Sequence, residues 1–152
     1  MKERIPNTPS FIVPDLGKER GEIGRVAQEV FNLNDPEEVR RFCARFLDAA
    51  KNAPLVELSE DVWSKLENTD SYEIAPNDWD RVNDHAVAGH PDSPRNWKSC
   101  KTLYEEGDAI EAPVILKTGA TLHLVAGNTR LMVARALGIT PKVLMVEIGE
   151  NN

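Results

Sequence analysis

The residues best suited to chemistry in this chain of 152 lie in one short run, Leu122-His123-Leu124-Val125-Ala126-Gly127-Asn128-Thr129-Arg130. A strand that ends in glycine and runs directly into a helix leaves the first helical N–H groups without main-chain partners, and the helix dipole favours an anion there. Gly127 allows a phosphate to approach the backbone closely. Asn128 or Thr129 can cap the helix or donate a hydrogen bond, and Arg130 offers a planar fork that holds two phosphate oxygens at once. The chemistry expected is recognition of an anion, in particular a nucleotide phosphate. Spacing alone leaves another reading open, in which Gly127 is a tight turn, Asn128 an ordinary cap and Arg130 a structural residue paired with a carboxylate.

Carboxylates near such a turn could complete a reaction centre. Glu105, Glu106, Asp108 and Glu111 precede a strand expected beside the turn. Phosphoryl transfer needs a group that holds Mg²⁺ or accepts a proton in addition to the anion cradle. Glu105, Glu106 and Glu111 are therefore the candidate catalytic residues, against the plain alternative of a solvated helix end and loop.

Other clusters are less specific. Gly17, Gly21 and Gly24 after Phe11-Ile12-Val13 match neither dinucleotide nor P-loop spacing. Asp84, His85, His90 and Asp92 have metal-binding side chains but no rigid ligand spacing, so a solvated loop is expected. His123 is expected as a packed or exposed strand residue, and Trp63, Trp79 and Trp97 as packing residues rather than base-stacking platforms. Cys43 and Cys100 form neither a disulfide framework nor a zinc pattern, and no catalytic metal site is expected.

The turn must be positioned by the elements around it. Pro113 to Leu116 and Leu122 to Ala126 read as strands joined by a hairpin loop over residues 117–121, Asn128 to Leu137 as a helix stopped by Gly138, and Lys142 to Ile148 as a strand. Upstream, Ile23, Val26, Ala27, Val30 and Phe31 form one apolar helical stripe, and Val39, Phe42, Cys43, Phe46, Leu47 and Ala50 a second after the capping candidates Asn34 and Asp35. A third helix is expected after Ser59, with Val62, Trp63 and Leu66 inward. Tyr72-Glu73-Ile74 suggests a short strand, residues up to Pro91 a loop, and Ser93-Pro94 the start of a helix through Trp97, Cys100, Leu103 and Tyr104.

Two further segments share the order of features around the turn. Thr102-Leu103-Tyr104-Glu105-Glu106-Gly107 is followed by Ile110 and Pro113-Val114-Ile115-Leu116, and Ile74-Ala75-Pro76-Asn77 lies further upstream. With the strand, Gly-x-x-Arg, small-residue helix and Leu137-Gly138, these resemble the ParB/sulfiredoxin superfamily over residues 70–149. The resemblance implies an α+β fold with a small mixed sheet and helices, preceded by a helical N-terminal extension over residues 1–69. It implies a stand-alone nucleotide-binding protein, with Gly127, Asn128, Thr129 and Arg130 at the phosphates of a nucleoside triphosphate, with Mg²⁺. NTP hydrolysis or phosphoryl transfer is the activity expected of such a site. The position where sulfiredoxins need cysteine is Asn128, which removes that chemistry. Partitioning members carry Glu-Arg-Arg after the glycine and continue into DNA-binding and dimerisation parts, whereas this chain has Asn128-Thr129-Arg130 and stops four residues after Ile148.

Composition narrows the partners. A net charge of −7 argues against nonspecific binding of duplex DNA, which needs a basic face. Charge is uneven, however: residues 112–146 hold four basic side chains, Lys117, Arg130, Arg135 and Lys142, and no acidic one. At 41% hydrophobic and 28% charged, with no apolar run near the ~20 residues that span a bilayer, the chain reads as soluble, and with no secretory leader as cytoplasmic. A non-catalytic adaptor that docks a protein through the N-terminal helices, and a metal-dependent nuclease as known for some members of the superfamily, are the alternative functions.

Overall fold

A computed structural model describes residues 10–88 and 96–149. Among these residues the structure is mixed α+β, with six α-helices and two small sheets. In order these are β1 (Ser10–Ile12), α1 (Arg20–Phe31), α2 (Pro36–Ala50), β2 (Leu55–Glu57), α3 (Glu60–Lys65), α4 (Trp79–Ala88), α5 (Trp97–Glu105), β3 (Ala109–Glu111), β4 (Val114–Thr118), β5 (Thr121–Ala126), α6 (Asn128–Leu137) and β6 (Lys142–Glu147). No helix among the described residues is long and apolar enough to cross a membrane.

The main sheet has the order β2-β6-β4-β5. β4 and β5 form an antiparallel hairpin closed at Thr118↔Thr121, and β6 returns parallel to β4 in the register Val114↔Leu144. Helix α6 supplies the crossover. Side chains alternate along the strands, so Ile115, Leu124 and Val143 join the core under α6, while Val114, Leu116, Val125, Leu144 and Val146 join the core under α1 and α2. Burial on both faces accounts for the nearly unbroken apolar runs of β4 and β6.

The helix ends follow their local chemistry. Asp35 accepts from the Glu37 N–H at 3.0 Å ahead of Pro36, and Ser59 Oγ accepts from the Val62 N–H at 3.2 Å. Their apolar stripes are core: Ile23, Phe42 and Phe46 are 0–2% exposed, and a Cβ placed on Gly24 would lie 3.6 Å from Val39, so α1 and α2 pack closely. Burying each such aliphatic or aromatic side chain stabilises the fold by roughly 1.5–3 kcal/mol. Since those stripes are occupied, a protein partner of α1 or α2 would have to use their charged outer faces.

Several expected boundaries differ. Ser71–Glu73 is a 3-10 turn and not a strand. The polar stretch after it contains α4, whose Val82 and Ala86 are fully buried. Helix α5 is capped by Asn96, which accepts from the Ser99 N–H at 3.1 Å, and Ser93-Pro94 lies outside the described residues. β1 pairs with β3 and β2 with β6, so strands from the first 69 residues stand in both sheets.

Candidate functional site

Strand β5 delivers the chain to Gly127, which has φ 108° and ψ 22°. An L side chain is strained there, and a Cβ would lie 2.7 Å from Pro113 Cβ and 2.8 Å from its Cα. Only glycine fits between the strand and the helix at this point. The first main-chain bond of α6 runs from the Leu131 N–H to Gly127 O at 3.0 Å, and no side chain caps the helix. The N–H groups of Asn128, Thr129 and Arg130 therefore stand at an open, electropositive helix end.

The side chains of the turn divide their work. Asn128 Oδ1 accepts a short hydrogen bond from Thr69 Oγ1. Thr129 Oγ1 is buried and has no hydrogen-bond partner among the described residues. Arg130 turns toward β3, where its Nη1 donates to the Glu111 carbonyl oxygen at 2.6 Å. Tyr104 Oη donates to the Arg130 carbonyl at 3.0 Å, and burial pushes its phenol upward in pKa, which keeps the hydroxyl protonated. Arg130 thus has a main-chain partner, not the carboxylate partner of the plain structural reading.

A cleft of about 260 Å³ opens on this turn. Gly127, Asn128 and Arg130 line it from one side, with Asn68, held by its Nδ2 donation to the Leu124 carbonyl at 2.9 Å. Glu22 and Arg25 of α1, with Glu19 before it, also line it. Arg25 and Glu22 are 3.6 Å apart and substantially exposed, so this pair is weakly held and Arg25 can turn to an incoming anion.

Three of the four expected phosphate-turn residues meet at the cleft. The expected catalytic carboxylates do not line it: Glu105 is exposed and paired with Lys101 at 2.6 Å, Glu106 is exposed at the C-terminal end of α5, and Glu111 pairs with Lys18 at 3.2 Å. The acidic groups that do are Glu19 and Glu22, which with Arg25 and Asn68 were not expected from the sequence. Glu22 and Arg25 lie on the polar side of the α1 stripe, and nothing local in the sequence says which element that side faces.

Asp84 and His85, expected in a solvated loop, lie in α4. His85 Nδ1 lies 3.7 Å from Asp70 Oδ2, while His90 and Asp92 lie outside the described residues. Among the described residues no three His, Cys, Asp or Glu side chains gather as a metal-holding group. Gly21 and Gly24 lie within α1, and Gly17 donates its N–H to Asp15 Oδ1 at 3.0 Å. Trp63 is buried, and Trp79 and Trp97 stack on each other with ring centroids 5.5 Å apart. Burial raises the Cys43 thiol and moves the Cys100 thiol to about 11, so neither is poised as a nucleophile.

His123 is 7% exposed and faces the α1 side of the sheet, with Glu29 4.0 Å from Nε2; neither ring nitrogen has a hydrogen-bond partner among the described residues. Burial holds its imidazole below the ordinary value, against the upward pull of Glu29 and Glu67. No protein-family model, curated protein or solved structure matches this chain.

Proposed function

We propose that this chain is a nucleotide- or phosphate-binding protein of ParB/sulfiredoxin-like type and that the cleft at the start of α6 is its phosphate site. The observation that carries the reading is the uncapped helix end at Gly127 opening into a cleft walled by Arg25 and Arg130. Free N–H groups, the helix dipole and two guanidinium groups are complementary to phosphate oxygens. Glu19 and Glu22 would repel a bare anion, but they suit Mg²⁺ carried on a polyphosphate, which takes one or two carboxylates and keeps its remaining places for phosphate and water.

With Glu105, Glu106 and Glu111 off the cleft, Glu19 or Glu22, which line it, would supply the metal ligand or proton acceptor for hydrolysis or phosphoryl transfer. Calorimetric titration with ATP, CTP, GTP and ADP, with and without Mg²⁺, tests the reading. Binding that weakens at least tenfold in Arg25→Ala, whose exposed side chain the fold does not need, and in Arg130→Ala is expected. Absence of binding by the wild-type chain, or unchanged binding by both variants, rejects it. An adaptor function keeps the fold and binds none of the four nucleotides.

A further inference from the structure

We infer that Asn128 turns its amide NH₂, and not its carbonyl, into the cleft, because a one-way chain of hydrogen bonds that begins at Trp63 fixes the orientation of the amide. The cleft then favours a group offering lone pairs, such as an unprotonated phosphoryl oxygen, over one offering N–H. The choice of ligand rests on the phosphate reading above; the chain of bonds does not.

Proton counting gives the direction. Trp63 Nε1–H can only donate, and it reaches Ser71 Oγ at 2.8 Å. Ser71 is fully buried, and its hydroxyl lies 2.8 Å from Thr69 Oγ1. Thr69 Oγ1 also receives the Ser71 main-chain N–H at 3.1 Å. Either hydroxyl of the Ser71–Thr69 pair can donate, but among the described residues the Ser71 proton has no acceptor other than Thr69 Oγ1; with that hydroxyl and the Ser71 N–H both donating, the lone pairs of Thr69 Oγ1 are filled, and its one proton goes to Asn128 Oδ1.

The reversed amide fails the same count. With Nδ2 against Thr69, Thr69 would have to send its proton to Ser71, whose oxygen already accepts from Trp63. One buried hydroxyl proton would then have no acceptor, at a cost of about 1–3 kcal/mol. In the orientation that satisfies every group, Oδ1 is used and Nδ2 has no partner among the described residues, nor is it a buried unpaired atom. Since Asn128 lines the cleft, those two N–H donors face it. Trp63, Ser71 and Thr69 are positioning residues that act through Asn128.

The full chain, labelled with ¹⁵N, decides this by NMR, with the Asn128 side-chain pair assigned by its loss in Asn128→Asp. In the wild type the pair should lack contacts to Thr69 and should shift on addition of pyrophosphate. Thr69→Val, which keeps the shape and removes the hydroxyl, should broaden the pair and weaken pyrophosphate binding about five- to tenfold, and Thr69→Ser should restore both. A direct contact between an Asn128 Nδ2 proton and Thr69, or an Asn128 signal unmoved by Thr69→Val, overturns the inference. If the wild type binds no pyrophosphate, the phosphate reading fails while the orientation of the amide is still decided by the spectra of the free protein.

Discussion

On the α6 face of the main sheet several polar side chains are tied into chains of hydrogen bonds, whereas on the α1 and α2 face the buried polar side chains, Thr118 and His123, have no hydrogen-bond partner among the described residues. Under α6, Trp63, Ser71, Thr69 and Asn128 are linked. Arg135 lies over the rings of Tyr72 and Trp63, donating to the Tyr72 carbonyl at 2.9 Å and to Glu60 at 2.8 Å. Under α1 and α2 the packing is of aliphatic side chains, Phe42 and Phe46, and the buried His123 is left without a hydrogen-bond partner among the described residues. The first arrangement fixes directions, which a binding site requires. The second supplies stability with little directional demand.

Three substitutions can break or sharpen that contrast. The largest effect should come from Phe46→Ala, whose side chain is 0% exposed: about 3–5 kcal/mol of stability should be lost in urea unfolding, an effect that a similar truncation at the partly buried Leu47 would not match. A loss below 1 kcal/mol would mean that the α1 and α2 face is not the apolar core described.

Gly127→Ala should cost about 2–4 kcal/mol, through the left-handed backbone and the collision with Pro113, and should weaken nucleotide binding beyond what partial unfolding explains. Binding and stability both at wild-type level would show that the turn can shift away from Pro113.

The smallest and most diagnostic change is His123→Leu. Because the native state holds His123 neutral, the unfolded chain binds the extra proton. Stability of the wild type should therefore fall as pH drops below the ordinary imidazole value of 6.5, with a slope of at most about 1.4 kcal/mol per pH unit. The leucine variant should flatten that part of the profile, as read from urea midpoints between pH 7.5 and 5, and an unchanged profile would assign the acid sensitivity to other groups.

Where the physics is local, the sequence was readable. Asp35 before Pro36, the stripe from Val39 to Ala50, and the glycines on either side of α6 define their helices without help from the rest of the chain. Helix α4 was hidden because Asn77, Asp78 and Asn83 resemble a loop, although Asp78 Oδ1 accepts from the Arg81 N–H in its first turn. Strands β1 and β2 are three residues long and exist through partners about 90 to 100 positions away, Ala109 and Leu144, a pairing no local pattern encodes. The same holds for the cleft. The Gly127 turn is a local motif, while the residues of α1 that line the cleft come there only through the packing of α1 on β5.

The strand order has a consequence for how the chain reaches this form. β6 follows every other strand in sequence yet sits between β2 and β4, so the α1 and α2 core lacks Leu144 and Val146 until it arrives. During synthesis the two amphipathic helices can pack on each other, but nearly a hundred further residues must follow before β6 completes the cover of their apolar stripes. Such long-range closure slows folding and exposes sticky surface meanwhile. Premature termination before Lys142 would leave a product prone to aggregate rather than a smaller working domain.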